Sequence, residues 1–169
     1  VFDPVEKDPL VLAVEKVWQA GIVVVCSAGN WGAYGNFSVS SPGISPRAIT
    51  VGSVTDWNTL DVKDDIVSTY SSRGPTAFDH FMKPDLLAPG NKIVSLRAPG
   101  STLDVTYPQW RKPILVGLGD DYFEMSGTSM AAPMVSGAAA LMLERDPTLR
   151  PDDVKARVMR TARKAPGDD

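Results

Sequence analysis

The 169 residues contain only one cysteine, Cys26. An intramolecular disulfide is therefore excluded, no second thiol stands at the spacing of a metal or redox pair, and the redox compartment stays open. Positive charge is not in excess either. The net charge is -3 and the pI is near 5.1, and no run of Lys or Arg is long enough to track a phosphate backbone, which excludes nucleic acid as a partner class. Long apolar runs are also missing: the longest, Met130 to Leu143, is broken by Pro133, Ser136 and Gly137 and falls short of the roughly 20 residues that span a bilayer. It reads as a buried helix, with no membrane contact expected. The chain opens Val1-Phe2-Asp3-Pro4, acidic where a leader peptide is basic, and without an initiator Met it reads as a fragment. No repeat or low-complexity tract interrupts it.

What is present is the composition of a folded domain. With 43% hydrophobic and 22% charged residues, one buried core is expected, belonging to one domain or a piece of one. Pro9 to Ala20 predicts an amphipathic helix, with Asp8 as N-cap, Gly21 past its end and Leu10, Ala13, Val14, Val17 and Ala20 on the apolar face. The β-branched run Ile22 to Cys26 predicts a central parallel strand, and helix followed by apolar strand signals an α/β fold. Ser27 to Pro46 is rich in Gly, Ser, Asn and Pro, so it predicts a loop at a strand's carboxyl end, where such folds place ligands. Further strands are expected over 48–54, 66–70 and 92–96, with Leu86 to Gly90 leading into the last. Residues 98–121 read as a surface excursion without assignable elements. Two helices, 129–145 and 151–163, close the chain, the first apolar almost all round and hence buried.

Two segments can carry chemistry. In Ser126-Gly127-Thr128-Ser129-Met130-Ala131-Ala132-Pro133 a serine between small residues stands at the start of a helix. The unpaired amides and positive dipole end there favour negative charge, and small neighbours admit a substrate backbone. Taken alone, the same pattern fits an ordinary N-cap. In Val25-Cys26-Ser27-Ala28-Gly29-Asn30 a strand runs into a small-residue turn ending in an asparagine, whose amide is able to donate to an oxyanion or simply to stabilise a loop.

Together these segments resemble the subtilisin family of serine proteases. Val23 to Asn30 is similar to the family's oxyanion strand and loop, Tyr70-Ser71-Ser72-Arg73-Gly74-Pro75 to its aromatic-Ser-Ser-x-Gly-Pro turn, Lys83 to Gly90 to its Lys-Pro-Asp-x-x-Ala-Pro-Gly segment, and Ser126 to Pro133 to its nucleophile motif. The resemblance runs from about Pro9 to Ala165. It implies a three-layer α/β/α fold with a mainly parallel sheet, of which residues 1–169 are the C-terminal portion of one catalytic domain. It also implies peptide-bond hydrolysis through an acyl-enzyme on Ser129, with Asn30 as oxyanion donor. Ser27, Ala28 and Gly29 become one side of the substrate pocket and Ser41, Pro42 and Gly43 its far wall, with a cis Ser41-Pro42 bond; Thr128 is counted among the substrate-binding residues. Trp31 either shapes the pocket rim or packs on its neighbours.

Equally informative is what the resemblance does not find. Family members carry the triad in the order Asp, His, Ser, and the first two lie upstream of the helix that begins near Pro9. The only histidine, His80, falls in a variable surface loop of the family and is not expected to be the base. Without a base Ser129 is a weak nucleophile, so the chain alone is expected to be inactive and to need a complementary N-terminal half carrying the Asp and His. An unpaired sheet edge and an uncovered apolar face are expected in its absence. Met134, where many relatives have a histidine outside the triad, does not disturb the assignment, and Cys26 reads as a small core residue.

An α/β-hydrolase needs Gly-x-Ser-x-Gly and a later histidine, and neither is present. A sedolisin has an acidic residue where Asn30 stands. The alternative from another class is a non-catalytic scaffold or protein-binding fragment of subtilase origin. The resemblance further implies a polypeptide substrate, secretion, no cofactor in the chemistry and structural calcium in many members. Asp61, Asp64 and Asp65, or Asp120 and Asp121, would be calcium ligands only if they were not solvated loop charge, so no metal residue is assigned.

Overall fold

The computed structural model of the chain describes residues 3–113 and 121–164. Helix α1 (Pro9–Gln19) begins as expected: the Asp8 carboxylate accepts the amides of Leu10 and Val11 at 2.9 and 3.1 Å. Its buried face differs from the expected one. Val11, Val14 and Trp18 face the core while Leu10 is 56% and Val17 38% exposed. Two apolar stripes overlap at Val14, and partners decide between them: Trp18 joins the core cluster that includes Val135 and Val154, and its indole donates to Asp152 at 2.9 Å.

A parallel sheet follows, built from β1 (Val25–Ser27), β2 (Ile49–Thr55) and β4 (Leu86–Pro89), with the short β3 (Ile66–Val67) antiparallel on β2. Every residue of β2 is buried, as its central place requires. The strand expected at 22–26 is displaced to Val25–Ser27, leaving Ile22 57% exposed, because pairing with Ile49–Val51 rather than β-branched content sets its limits. The strand expected at 66–70 stops at Val67, where the chain turns from Ser68 to Ser71.

Helix α3 (Thr128–Arg145) lies along one face of β1, β2 and β4, burying Ala131, Val135 and Ala139 against Ile49 and Val51. Val14 of α1 packs on Cys26 and Ala48, which alternation places on the opposite face. Helices therefore cover both faces, giving the expected α/β layers, and α4 (Pro151–Thr161) joins the α3 side through Val154. Helix α3 is not buried all round in this chain: Met134 is 44% and Leu141 68% exposed, beside an open apolar groove that also touches Leu87 and Met159.

The Lys-Pro-Asp segment is a buried ionic knot. Lys83 Nζ donates to Asp85 at 2.6 Å and to the Ala48 carbonyl, Lys155 of α4 meets the other Asp85 oxygen at 3.2 Å, and the Thr50 amide donates to Asp85 at 2.7 Å. Burial pulls the Lys83 ammonium down to about 8 even with Asp85 beside it. The knot joins β2, β4 and α4.

Residues 86–96 hold two strands where one was expected. Pro89 and Gly90 end β4, and β5 (Ile93–Leu96) leaves the first sheet to pair antiparallel with β7 (Tyr122–Met125), which also takes β6 (Arg111–Lys112). The excursion at 98–121, read as lacking elements, thus contains the short helix α2 (Thr102–Thr106) and β6, the third strand of a sheet whose other two strands, β5 and β7, flank it. Asp104, 2% exposed, holds it together by accepting from Arg97 Nε at 2.6 Å and Arg111 Nε at 2.7 Å. The Arg97 guanidinium foremost keeps its carboxyl far below the usual carboxylate range.

Candidate active site

The site forms where the loop after β1 meets the start of α3. Gly29 has φ 105°, and a Cβ there would stand 2.6 Å from Ser40 Oγ, so only glycine lets the chain turn so close to the opposite wall. Ser40 N–H donates to the Ala28 carbonyl at 3.0 Å, Ala28 N–H donates to Val51 at 2.9 Å, and the Gly43 carbonyl accepts the Thr50 hydroxyl at 2.7 Å. The structure therefore brings Ser27, Ala28 and Gly29 face to face with the 40–43 segment, and the Ser41-Pro42 bond is cis.

Asn30 is fixed from the α3 side. Its Oδ1 accepts both the Thr128 amide at 2.9 Å and the Thr128 hydroxyl at 3.0 Å. Two donors on one oxygen settle which end of the amide faces Thr128 and turn the NH2 group the other way. The Thr128 hydroxyl in turn accepts the Gly29 amide at 3.1 Å, so one side chain ties the small-residue turn to the asparagine. Gly127, at φ 155°, lies beneath: a Cβ there would stand 3.2 Å from Asn30 Nδ2. Ser129 is exposed at the second position of α3, in the turn whose amides have no carbonyl one turn back. Pro133 has no amide to bond the Ser129 carbonyl.

Thr128, expected among the substrate-binding residues, is fully buried and reaches the site only through Asn30 and Gly29. Trp31 is 53% exposed and tilts against Tyr34 at 5.8 Å. His80 stands exposed on the 73–82 excursion, edge-on to Phe37 at 5.9 Å. Burial pushes the Cys26 thiol up to about 11, so it is no second nucleophile.

Sequence reasoning missed the braces. The Ser72 hydroxyl accepts the Trp31 amide at 3.1 Å, Ser72 N–H donates to the Gly29 carbonyl at 2.9 Å, and the Tyr70 carbonyl accepts the Gly32 amide at 2.9 Å. The motif at 70–75 is thus the backing of the Asn30 loop. As for metals, Thr59 Oγ1 donates into both Asp64 oxygens, the Asp61 carboxylate accepts Lys63 N–H, and no group of three ligating side chains occurs among the described residues. Asp120 lies outside the described residues.

Comparison with known proteins is decisive at this point, because residues 4–169 match the profile of the Subtilase family. The chain belongs to that family. Among curated relatives, serine protease AprX of Bacillus subtilis (strain 168) is 49% identical over 91% of this chain and 33% of its own length. Subtilisin E of the same organism is 34% identical over 94% of this chain and 33% of its own. The fold agrees with solved structures: a cold-adapted subtilisin-like serine proteinase (TM-score 0.65, 28% identity, 93% of this chain and 45% of the other) and Sphericase (TM-score 0.67, 28% identity, 89% and 43%). The subtilase chain described here therefore spans a third to under a half of these relatives. No helix among the described residues is long and apolar enough to cross a membrane.

Proposed function

We propose that this chain is the nucleophile-bearing C-terminal portion of a subtilisin-like catalytic domain and that the assembled protein is a serine endopeptidase. Ser129 Oγ attacks the substrate carbonyl, the Asn30 NH2 group and the Ser129 amide donate to the oxyanion, and water releases the acyl-enzyme. The observation that carries the reading is the double hold of Thr128 on Asn30 Oδ1, which aims the amide NH2 before substrate arrives. A donor set in place in advance costs no reorganisation as charge develops, and this is where such sites gain most.

In this reading Ser27, Ala28 and Gly29 and the facing Ser41, Pro42 and Gly43 hold the substrate residue whose carbonyl is attacked. The small side chains on both walls favour an open slot. The general base comes from a histidine outside this chain, held by an aspartate, on a complementary N-terminal half that also covers the exposed α3 residues Met134 and Leu141. No metal or cofactor enters a step, and the family resemblance supports secretion.

The test is kinetic, in the enzyme assembled with its His- and Asp-bearing segment. Ser129→Ala should abolish peptide hydrolysis. Asn30→Ala should lower kcat by about 10²–10³, the size found for this donor in subtilisin itself, with KM little changed. Full activity in Ser129→Ala would refute the reading and favour a non-catalytic scaffold.

A further inference from the structure

Tyr70 is hydrogen-bonded towards both sides of the proposed oxyanion hole, directly to the Asn30 loop and by way of Gly90 to the approach to Ser129. Its carbonyl accepts the Gly32 amide at 2.9 Å, two residues beyond Asn30. Its hydroxyl donates to the Gly90 carbonyl at 3.0 Å, and that same oxygen accepts the Gly127 amide at 2.9 Å, two residues before Ser129. Gly90 is a point of close backbone contact, since a Cβ there would stand 2.8 Å from the Gly127 carbonyl oxygen.

The hydroxyl is not free to turn away. Behind it stands a buried row of hydroxyls: Ser53 Oγ at 2.8 Å from Tyr70 Oη, Ser68 Oγ at 3.0 Å from Ser53, and Thr55 Oγ1 at 3.0 Å from Ser68. A carbonyl only accepts, so Tyr70 must spend its proton on Gly90 and take one from Ser53. Ser53 then takes one from Ser68, and Ser68 from Thr55. Every hydroxyl in the row has one orientation, fixed by the carbonyl at its end, and Ser53, Ser68 and Thr55 are all buried.

We infer that Tyr70 is a positioning residue for catalysis: through its carbonyl it holds the Asn30 loop, and through its hydroxyl and Gly90 it holds the Gly127 step into Ser129, setting the spacing of the two oxyanion donors. The inference rests on the proposed roles of Ser129 and Asn30. Replacing Tyr70 by Phe keeps the ring and the carbonyl arm and releases only the hydroxyl arm, so the perturbation falls on spacing rather than on substrate contact.

The experiment is a double-mutant cycle in the assembled enzyme, reading kcat and KM on one peptide substrate for the parent, Tyr70→Phe, Asn30→Ala and the double variant, with thermal melts alongside. Tyr70→Phe should lower kcat roughly fivefold with KM within about twofold, the loss expected for one hydrogen bond. In the Asn30→Ala background the same change should cost less than about twofold, because the donor it places is gone. An unchanged kcat in Tyr70→Phe, or an equal loss in both backgrounds, overturns the inference while a crippled Asn30→Ala leaves the oxyanion reading standing. Parent-like kcat in Asn30→Ala overturns that reading and this inference with it. Should Tyr70→Phe not fold, Ser53→Ala removes the donor that orients the phenol; it should show the same coupling to Asn30 at smaller size, and additive losses overturn the inference.

Discussion

Replacing Thr128 by Val tests how the Asn30 amide is aimed. The Thr128 hydroxyl gives its proton to Asn30 Oδ1 at 3.0 Å and receives that of Gly29 at 3.1 Å, in a fully buried position. Val keeps the shape and removes both bonds. Asn30 Oδ1 retains the Thr128 amide at 2.9 Å, so the side chain is loosened but not released, whereas the Gly29 amide is left without a partner. One hydrogen bond is worth about 0.5–1.5 kcal/mol, and the half-buried Gly29 amide bears less than the penalty of a fully buried donor, so stability should fall by roughly 1–2 kcal/mol. Losing one of two holds on Asn30 should lower kcat by about tenfold, equivalent to about 1.4 kcal/mol. That lies well short of the factor of about 10²–10³ for removing the donor outright in subtilisin. KM should stay within about twofold. Thr128→Ser retains the hydroxyl and should keep kcat near the parent value while losing only the packing of one methyl, about 0.8 kcal/mol. The assay is steady-state hydrolysis by the assembled enzyme, with a thermal melt of each variant. Parent kcat in Thr128→Val, or an equal loss in Thr128→Ser, would refute the reasoning.

Gly29→Ala should be far more damaging than an exposed Gly→Ala change, because φ 105° and the 2.6 Å approach to Ser40 Oγ both oppose a Cβ; a melt lowered by several degrees and a raised KM together would bear this out. Asp104→Asn should loosen the β5–β7–β6 sheet, giving faster limited proteolysis next to α2 at neutral pH. Because the folded Asp104 carboxyl is held below its unfolded value, its contribution is complete above the ordinary carboxylate range and is lost only as pH falls through the depressed value. The difference between parent and Asp104→Asn melts should therefore shrink with acidification and not with alkalinisation. Cys26, 7% exposed and pushed up to about 11, should resist a thiol reagent at pH 8 until denaturant is added; rapid labelling of the folded chain would contradict its place between α1 and the sheet.

Much of this was legible in the residues, and the misses share a cause. The cap at Asp8, the buried run of β2 and the start of α3 beside Ser129 follow from local chemistry, and the structure has each of them. The buried stripe of α1 was not legible, because Leu10-Val14-Val17 and Val11-Val14-Trp18 have equally good helical spacing and the choice falls to Asp152, distant in sequence. The second sheet was hidden for a similar reason. Its strands are short, largely half-buried and paired across an excursion, and its organising residue, Asp104, becomes visible only when Arg97 and Arg111 converge on it. At the site, motif reading singled out Ser129, Asn30 and the facing segments 27–29 and 41–43 but treated Tyr70 only as an aromatic. The signal for its hydroxyl was Ser53 and Thr55 on β2 and Ser68 just past β3, which no local pattern links.

The central claim, that Ser129 is an activated nucleophile beside a preset oxyanion donor, is tested most directly by intact-mass detection of fluorophosphonate addition. The chain alone and the chain assembled with its His- and Asp-bearing segment are to be compared, with Ser129→Ala as the control. The account predicts one adduct at Ser129 in the assembly, little or none in the isolated chain and none in Ser129→Ala; an assembly that stays unlabelled, or one labelled equally well in Ser129→Ala, would contradict it.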